Sequence, residues 1–220
     1  MESIIAFDKQ LLLCINGWNS PFFDNFMYWY SQVATWIPLY IILLFILIKQ
    51  YGKSSYLPIL CVVVLIVLCD QISSGLIKPL VARYRPTHDV EIGSLVHIVN
   101  GYRGGKYGFL SSHAANSFAL ATFFSLLSRN KKFSIILFSW AIVNAYSRLY
   151  LGVHYPLDVL CGIFLGTVLA FGMFVFYRNV IMNKSLYNLI PSLILNISYV
   201  SFVLLTIIVA LVVWSFLSIV

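Results

Sequence analysis

The sequence predicts an all-α integral membrane protein: a bundle of six helices preceded by an amphipathic helix lying in the membrane interface. Three observations carry that expectation. Hydrophobic residues make up 61% of the chain and charged residues only 10%, with a mean hydropathy of +0.92. Water-soluble domains run at about 45–50% apolar and about 25% charged, so neither a soluble globule nor a disordered chain fits. Six apolar segments approach the roughly 20 residues that a helix needs to cross a hydrocarbon core. Aromatic side chains (Tyr28, Trp29, Tyr30, Trp36, Tyr40) gather at the first of these as an interfacial belt.

Taken in order, residues 1–31 set Asp8, Lys9 and Asp24 among apolar neighbours and break at Ser20-Pro21. That is the pattern of an interfacial helix followed by a turn. A signal peptide is not expected, because Glu2 stands where a basic start would be and no small-residue cleavage site follows. Spans fall near 32–48, 56–77, 112–128, 133–149, 157–177 and 198–220. They must be helical, since lipid offers the backbone no hydrogen-bond partner. A second interfacial piece is expected in 178–197, around Pro191. No repeat or soluble domain interrupts the chain, which reads as one domain over 1–220. Cys14, Cys61, Cys69 and Cys161 lie in apolar stretches without metal or redox spacing and read as small buried hydrophobes.

The net charge of +7 comes without any basic run longer than Lys131-Lys132, so nucleic acid is not an expected partner. Loop charge instead sets orientation. Lys and Arg number seven on each side of a six-span topology; setting aside Lys78, Arg85 and Arg148, which look committed to a site, leaves seven against four. The 78–111 loop and both termini then face outward.

Three clusters hold most of the unusual polar residues: Lys78 through Arg85-Pro86, then Ser111-Ser112-His113, then Ser147-Arg148 with His154 and Asp158. All fall at one membrane surface in this topology. Lys78, Arg85 and Arg148 can neutralise a multiply charged anion, the Arg fork suiting phosphate. Ser111 is placed to cap a helix whose first N–H groups, at 112–113, point at that anion. Pro156 favours a helix start, so Asp158 in the first turn reaches back to His154, fixing its tautomer and freeing the other nitrogen to attack. His113 remains as general acid, a role worth about 10²–10⁴-fold. The set describes phosphoryl transfer without metal or cofactor, because no carboxylate cluster suits magnesium.

The spacing K-x6-R-P, a Ser-x-His element, and S-R-x5-H-x3-D resembles the type 2 phosphatidic acid phosphatase (PAP2) superfamily. The likeness spans 78–158 and implies a phosphohistidine on His154, support from Asp158, protonation by His113, and phosphate contacts from Lys78, Arg85, Ser111, Ser112 and Arg148. Leu110 and Ser112 replace the proline and glycine of the usual P-S-G-H, which alters how closely phosphate can approach. The start of the Gly-rich stretch 99–109, with Phe7-Asp8-Lys9, Trp18 and Pro21-Phe22-Phe23-Asp24, is similar to lipid A 4′-phosphatases of the Bacteroides type. The implied partner is a phosphorylated lipid on the outer leaflet of a bacterial inner membrane, hydrolysed at the periplasmic face. Undecaprenyl diphosphate, then phosphatidylglycerophosphate or phosphatidate, are the alternatives; a phosphate-binding transporter or scaffold is the rival of another class. A vanadate-dependent peroxidase fits a membrane-buried chain poorly.

Asp70 is the one carboxylate inside an apolar span, and is a candidate to support a site cation from behind or to link helices. Arg83, Arg103 and Lys106 read as solvated loop charges, each with a candidate headgroup role. His88 and His97 read as structural.

Overall fold

The computed structural model describes residues 2–181 and 197–219. The chain is all-α: α1 (Glu2–Gly17), α2 (Pro21–Tyr30), α3 (Ile37–Tyr51), α4 (Tyr56–Asp70), α5 (Lys78–Val81), α6 (Ser112–Ser128), α7 (Lys131–Tyr150), α8 (Pro156–Phe176) and α9 (Ile197–Leu217). Each of the six apolar segments is helical, with ends within a few residues of those expected. Among the described residues three stretches are long and apolar enough to cross a membrane by length and composition: Val33–Val81, Pro156–Asn179 and Tyr199–Leu217. The interfacial piece expected around Pro191 lies outside the described residues.

Between α4 and α5 the helix does not stop but widens into a π-helical segment, Gln71–Ile77. Pro79 accounts for this: it has no N–H, and its ring would strike the carbonyl one turn back in a regular helix. The run then ends at Ala82, in the left-handed region (φ 50°), whose N–H donates to the Lys78 carbonyl.

At the centre stands α6, buried along most of its length and packed against α8, α7 and α4. Glycine sets the closeness of its contact with α8. A Cβ on Gly166 would lie 2.1 Å from the Ala115 carbonyl, and one on Gly162 2.4 Å from that of Ser111. Small residues one turn apart let two backbones meet without a side chain between them. Tyr30, Trp36 and Trp140 close the side toward α2 and α3 in edge-to-face contacts, and α9 packs on α2 and α3.

The first helix is turned inside out relative to one on a soluble protein. Asp8, Leu12 and Asn16, one turn apart, are buried, while Ile4, Ile5, Phe7 and Leu11 point away. Its polar face is anchored on the ends of α7 and α8: Asn16 donates to the Tyr150 and His97 carbonyls and accepts from the His97 N–H.

Candidate active site

The third cluster is built by the end of α7 and the start of α8. Arg148, in the last turn of α7, is 1% exposed and directs Nη2 to the Tyr102 hydroxyl at 2.9 Å. His154 follows in the short connection, equally buried. Tyr155 caps α8, Pro156 opens it, and the Asp158 side chain bends back so that Oδ2 accepts the Tyr155 N–H at 3.0 Å. That same oxygen lies 3.5 Å from His154 Nδ1. The helix start thus delivers the carboxylate to the imidazole, as its position in the first turn requires.

The second cluster is locked to it. Ser111 caps α6, its Oγ accepting from the Ala114 N–H, and its own N–H donates to the Asp158 carbonyl at 2.9 Å. His113, in the first turn, stands beside His154 and the charges of Arg148, Arg85 and Lys78.

The first cluster arrives from the end of the long helical run. Lys78 Nζ donates to Ser112 Oγ at 3.2 Å and to Ser74 Oγ at 3.0 Å; Ser74 in turn donates to Asp70 at 3.3 Å. Asp70 therefore reaches a site cation from behind, through one hydroxyl, while itself facing out of the bundle. The hydroxyl that replaces the usual glycine, Ser112, is held by the same lysine. Arg85 is fixed by the Tyr107 and Val153 carbonyls. Residues 83–85 pair with 106–108 as a two-rung antiparallel bridge, Arg85 N–H to Lys106 O and Gly108 N–H to Arg83 O. At Gly108 any side chain would enter the site, for a Cβ would meet Asp158 Oδ2 at 2.9 Å.

Three cations thus converge, and among the described residues none of Lys78, Arg85 and Arg148 forms an ion pair with a carboxylate. Arg148 Nε is buried without a hydrogen-bond partner among the described residues. Uncompensated buried charge is costly, and it marks a place made for an anion. Burial first, and then the charge of Arg148, pulls Arg85 below the usual guanidinium value. Burial, followed by Arg85, Arg148 and Lys78, holds His154 well below the ordinary histidine value, so the ring is neutral and able to attack. Among the described residues no three His, Cys, Asp or Glu side chains group as a metal-ligand set.

Some residues fall elsewhere than expected. Arg83 is no solvated charge: it bridges Asp158 and Asp8 at 2.8 and 2.6 Å. Nothing local distinguishes it, since it sits between the spaced members of its motif and its partner is 75 residues away. Tyr102 was likewise unmarked. Arg103 is exposed and paired with Thr87, and Lys106 lies 5.5 Å from the Tyr84 and Tyr107 ring centroids. His97 is held by Asp24 at 2.9 Å, as a structural histidine would be.

Beside the cations opens a cavity of about 430 Å³ between α3, α4, α6 and α7. Trp36, Leu47, Val63, Phe124 and Trp140 line it, and His113 lines it too, with Asn116 and Asn144. One histidine is shared between a polar cradle and an apolar slot.

The chain is similar to known proteins. The family model described as the PAP2 superfamily matches residues 57–182. A lipid A 4′-phosphatase of Bacteroides thetaiotaomicron is 42% identical over 179 residues, covering 80% of this chain and 78% of that protein. One from Porphyromonas gingivalis is 39% identical over 80% of this chain and 74% of its own length, and an undecaprenyl-diphosphatase of Sulfolobus acidocaldarius 29% identical over 77% and 78%. The crystal structure of Aquifex aeolicus LpxE superposes with a TM-score of 0.58 at 25% identity, covering 74% of this chain and 92% of that one. A transmembrane PAP2-type phosphatidylglycerolphosphate phosphatase from Bacillus subtilis shares the fold, with a TM-score of 0.60 at 23% identity over 82% and 89%.

Proposed function

The chain belongs to the PAP2 superfamily and is a multi-pass membrane phosphatase acting on lipid phosphates; we propose that its substrate is a phosphate of lipid A, removed through a phosphohistidine on His154. The observation that carries this is the meeting of an unpaired cation cluster with an apolar cavity at His113. Phosphate would lie among Lys78, Arg85 and Arg148 and the first N–H groups of α6, with Ser111 and Ser112 shaping that end. The acyl chains would occupy the slot.

His154 Nε2 attacks phosphorus, the P–O bond to the sugar breaks, and His113 gives its proton to the departing alkoxide. Asp158 steadies the positive charge that the attacking ring acquires. Water, deprotonated by His113, then cleaves the N–P bond, releasing phosphate and restoring both imidazoles. Asp70 supports Lys78 through Ser74. Ligand-free sites hold such contacts long, and the 3.5 Å between His154 and Asp158 is expected to shorten once phosphate is bound.

The same reading makes α3, α4 with its extension, and α6 to α9 the six crossings, and α1 an interfacial helix with Ile4, Phe7 and Leu11 in lipid. The site then faces the periplasm of a bacterial inner membrane. The resemblance to lipid A 4′-phosphatases at up to 42% identity favours lipid A; the 29% likeness to an undecaprenyl-diphosphatase keeps that diphosphate as the second reading. Phosphate release from lipid A, undecaprenyl diphosphate and phosphatidylglycerophosphate by the purified protein, side by side, decides. Turnover of lipid A at least tenfold above the others, lost in H154A, is the expected result; preference for the prenyl diphosphate selects the second reading.

A further inference from the structure

The Asp158 carboxylate shares its cation. Arg83 Nη1 donates to Asp158 Oδ1 at 2.8 Å, and Nη2 of the same guanidinium donates to Asp8 Oδ2 at 2.6 Å. Asp8 is 2% exposed, and its other oxygen accepts the Leu157 N–H at 2.9 Å, in the first turn of α8. The Arg83 guanidinium carbon lies over the Tyr155 ring, 3.9 Å from its centroid. The Tyr155 hydroxyl donates to Asp89, which Lys9 holds at 3.0 Å. Two consecutive residues of α1 therefore reach one corner of the site.

An arginine paired with Asp158 alone would cancel the negative charge that faces His154. Shared between two carboxylates, and unable to lose its proton, it leaves the trio with one net negative charge. That charge matters most when the attacking ring turns positive, so it stabilises the transition state more than the ground state. We propose that Asp8 is a positioning residue: by sharing Arg83, it leaves the negative charge of Asp158 uncancelled and aimed at His154, which makes the N-terminal helix part of the catalytic apparatus. This rests on His154 being the nucleophile.

Lys78, Arg85, Arg148 and His113 also face His154, and Arg83, Asp158 and Cys161 surround Asp8. D8N and H154A leave these charges in place, so the shift on changing Asp8 can be read against them. The test measures kcat and KM against pH for the full chain in detergent with its lipid substrate, as wild type, D8N and H154A. In D8N, kcat is expected to fall about tenfold, the lower end of what partners behind a site residue contribute, with KM within about twofold. The acid limb of kcat should move to lower pH, because losing a negative charge makes His154 harder to protonate. A purely structural role would lower the amount of active enzyme and leave the limb in place. An unmoved limb in D8N beside an inactive H154A overturns the inference alone; activity surviving in H154A overturns the reading beneath it. Should D8N not be recovered folded, R83Q removes the cation between the two carboxylates and the limb must move to higher pH; a limb unmoved or lowered there overturns the proposal equally.

Discussion

Two regions of this molecule meet at His113 and are built on opposite terms. On one side Lys78, Arg85 and Arg148 are held by directed contacts (Ser112, two backbone carbonyls, the Tyr102 hydroxyl) and, among the described residues, have no carboxylate of their own. On the other, α3, α4, α6 and α7 leave a slot of about 430 Å³ faced by aromatic and aliphatic side chains. The cradle discriminates by charge and angle, where an ångström matters; the slot discriminates by volume, where a methylene changes little. One expects chemistry to depend on the first and affinity for the lipid tail on the second.

The sharpest way to break this division is H154A. It should lower kcat by about 10³-fold or more, as loss of a nucleophile does, without weakening lipid binding. A neutral, buried His154 adds a pH signature. Since its folded value is depressed, the acid limb of kcat/KM in wild type lies below about 6.5, the ordinary histidine value. By the same linkage the unfolded chain takes up a proton that the folded chain refuses, so His154 makes stability fall as pH drops through that value. Thermal unfolding of wild type and H154A across pH 5–8 checks the sign: the variant should lose less on acidification.

Next in size, R148Q should cost about 10²–10³-fold in kcat/KM, as removal of one donor to developing charge does, whatever the tail length of the substrate. V63W tests the slot. Val63 lines the cavity from a half-exposed position, so the larger ring should fill space without disturbing the core. KM for a long-chain lipid should rise about five- to tenfold at nearly constant kcat, while a short soluble phosphate ester is unaffected. Loss of activity on both substrates would show the two regions to be coupled. The smallest effect belongs to Y102F, which removes one hydrogen bond from Arg148 and should slow kcat about fivefold.

Much of the site was legible because its signals are local. Ser111 capping α6 and Asp158 in the first turn of α8 follow from which residue types satisfy free N–H groups at a helix start. The turn that carries Asp158 carries it to His154 as well. Asp70 was marked by its position within an apolar segment, and Ser74, one turn on, explains how it reaches Lys78. Arg83 reads as a solvated charge for the converse reason: an arginine in a polar loop looks alike whether it is solvated or shared between two carboxylates.

By itself, then, the sequence determined the helices and the chemistry at their ends, because span length, capping and hydrophobicity act within a few residues of one another. Tertiary structure alone decided which ends would meet. The Asp8–Arg83–Asp158 trio joins residues 75 positions apart on either side, the slot exists only where four helices diverge, and α1 turns its polar face inward only because α7 and α8 present partners for it. Such choices depend on where the chain crosses itself, and no local preference encodes a crossing.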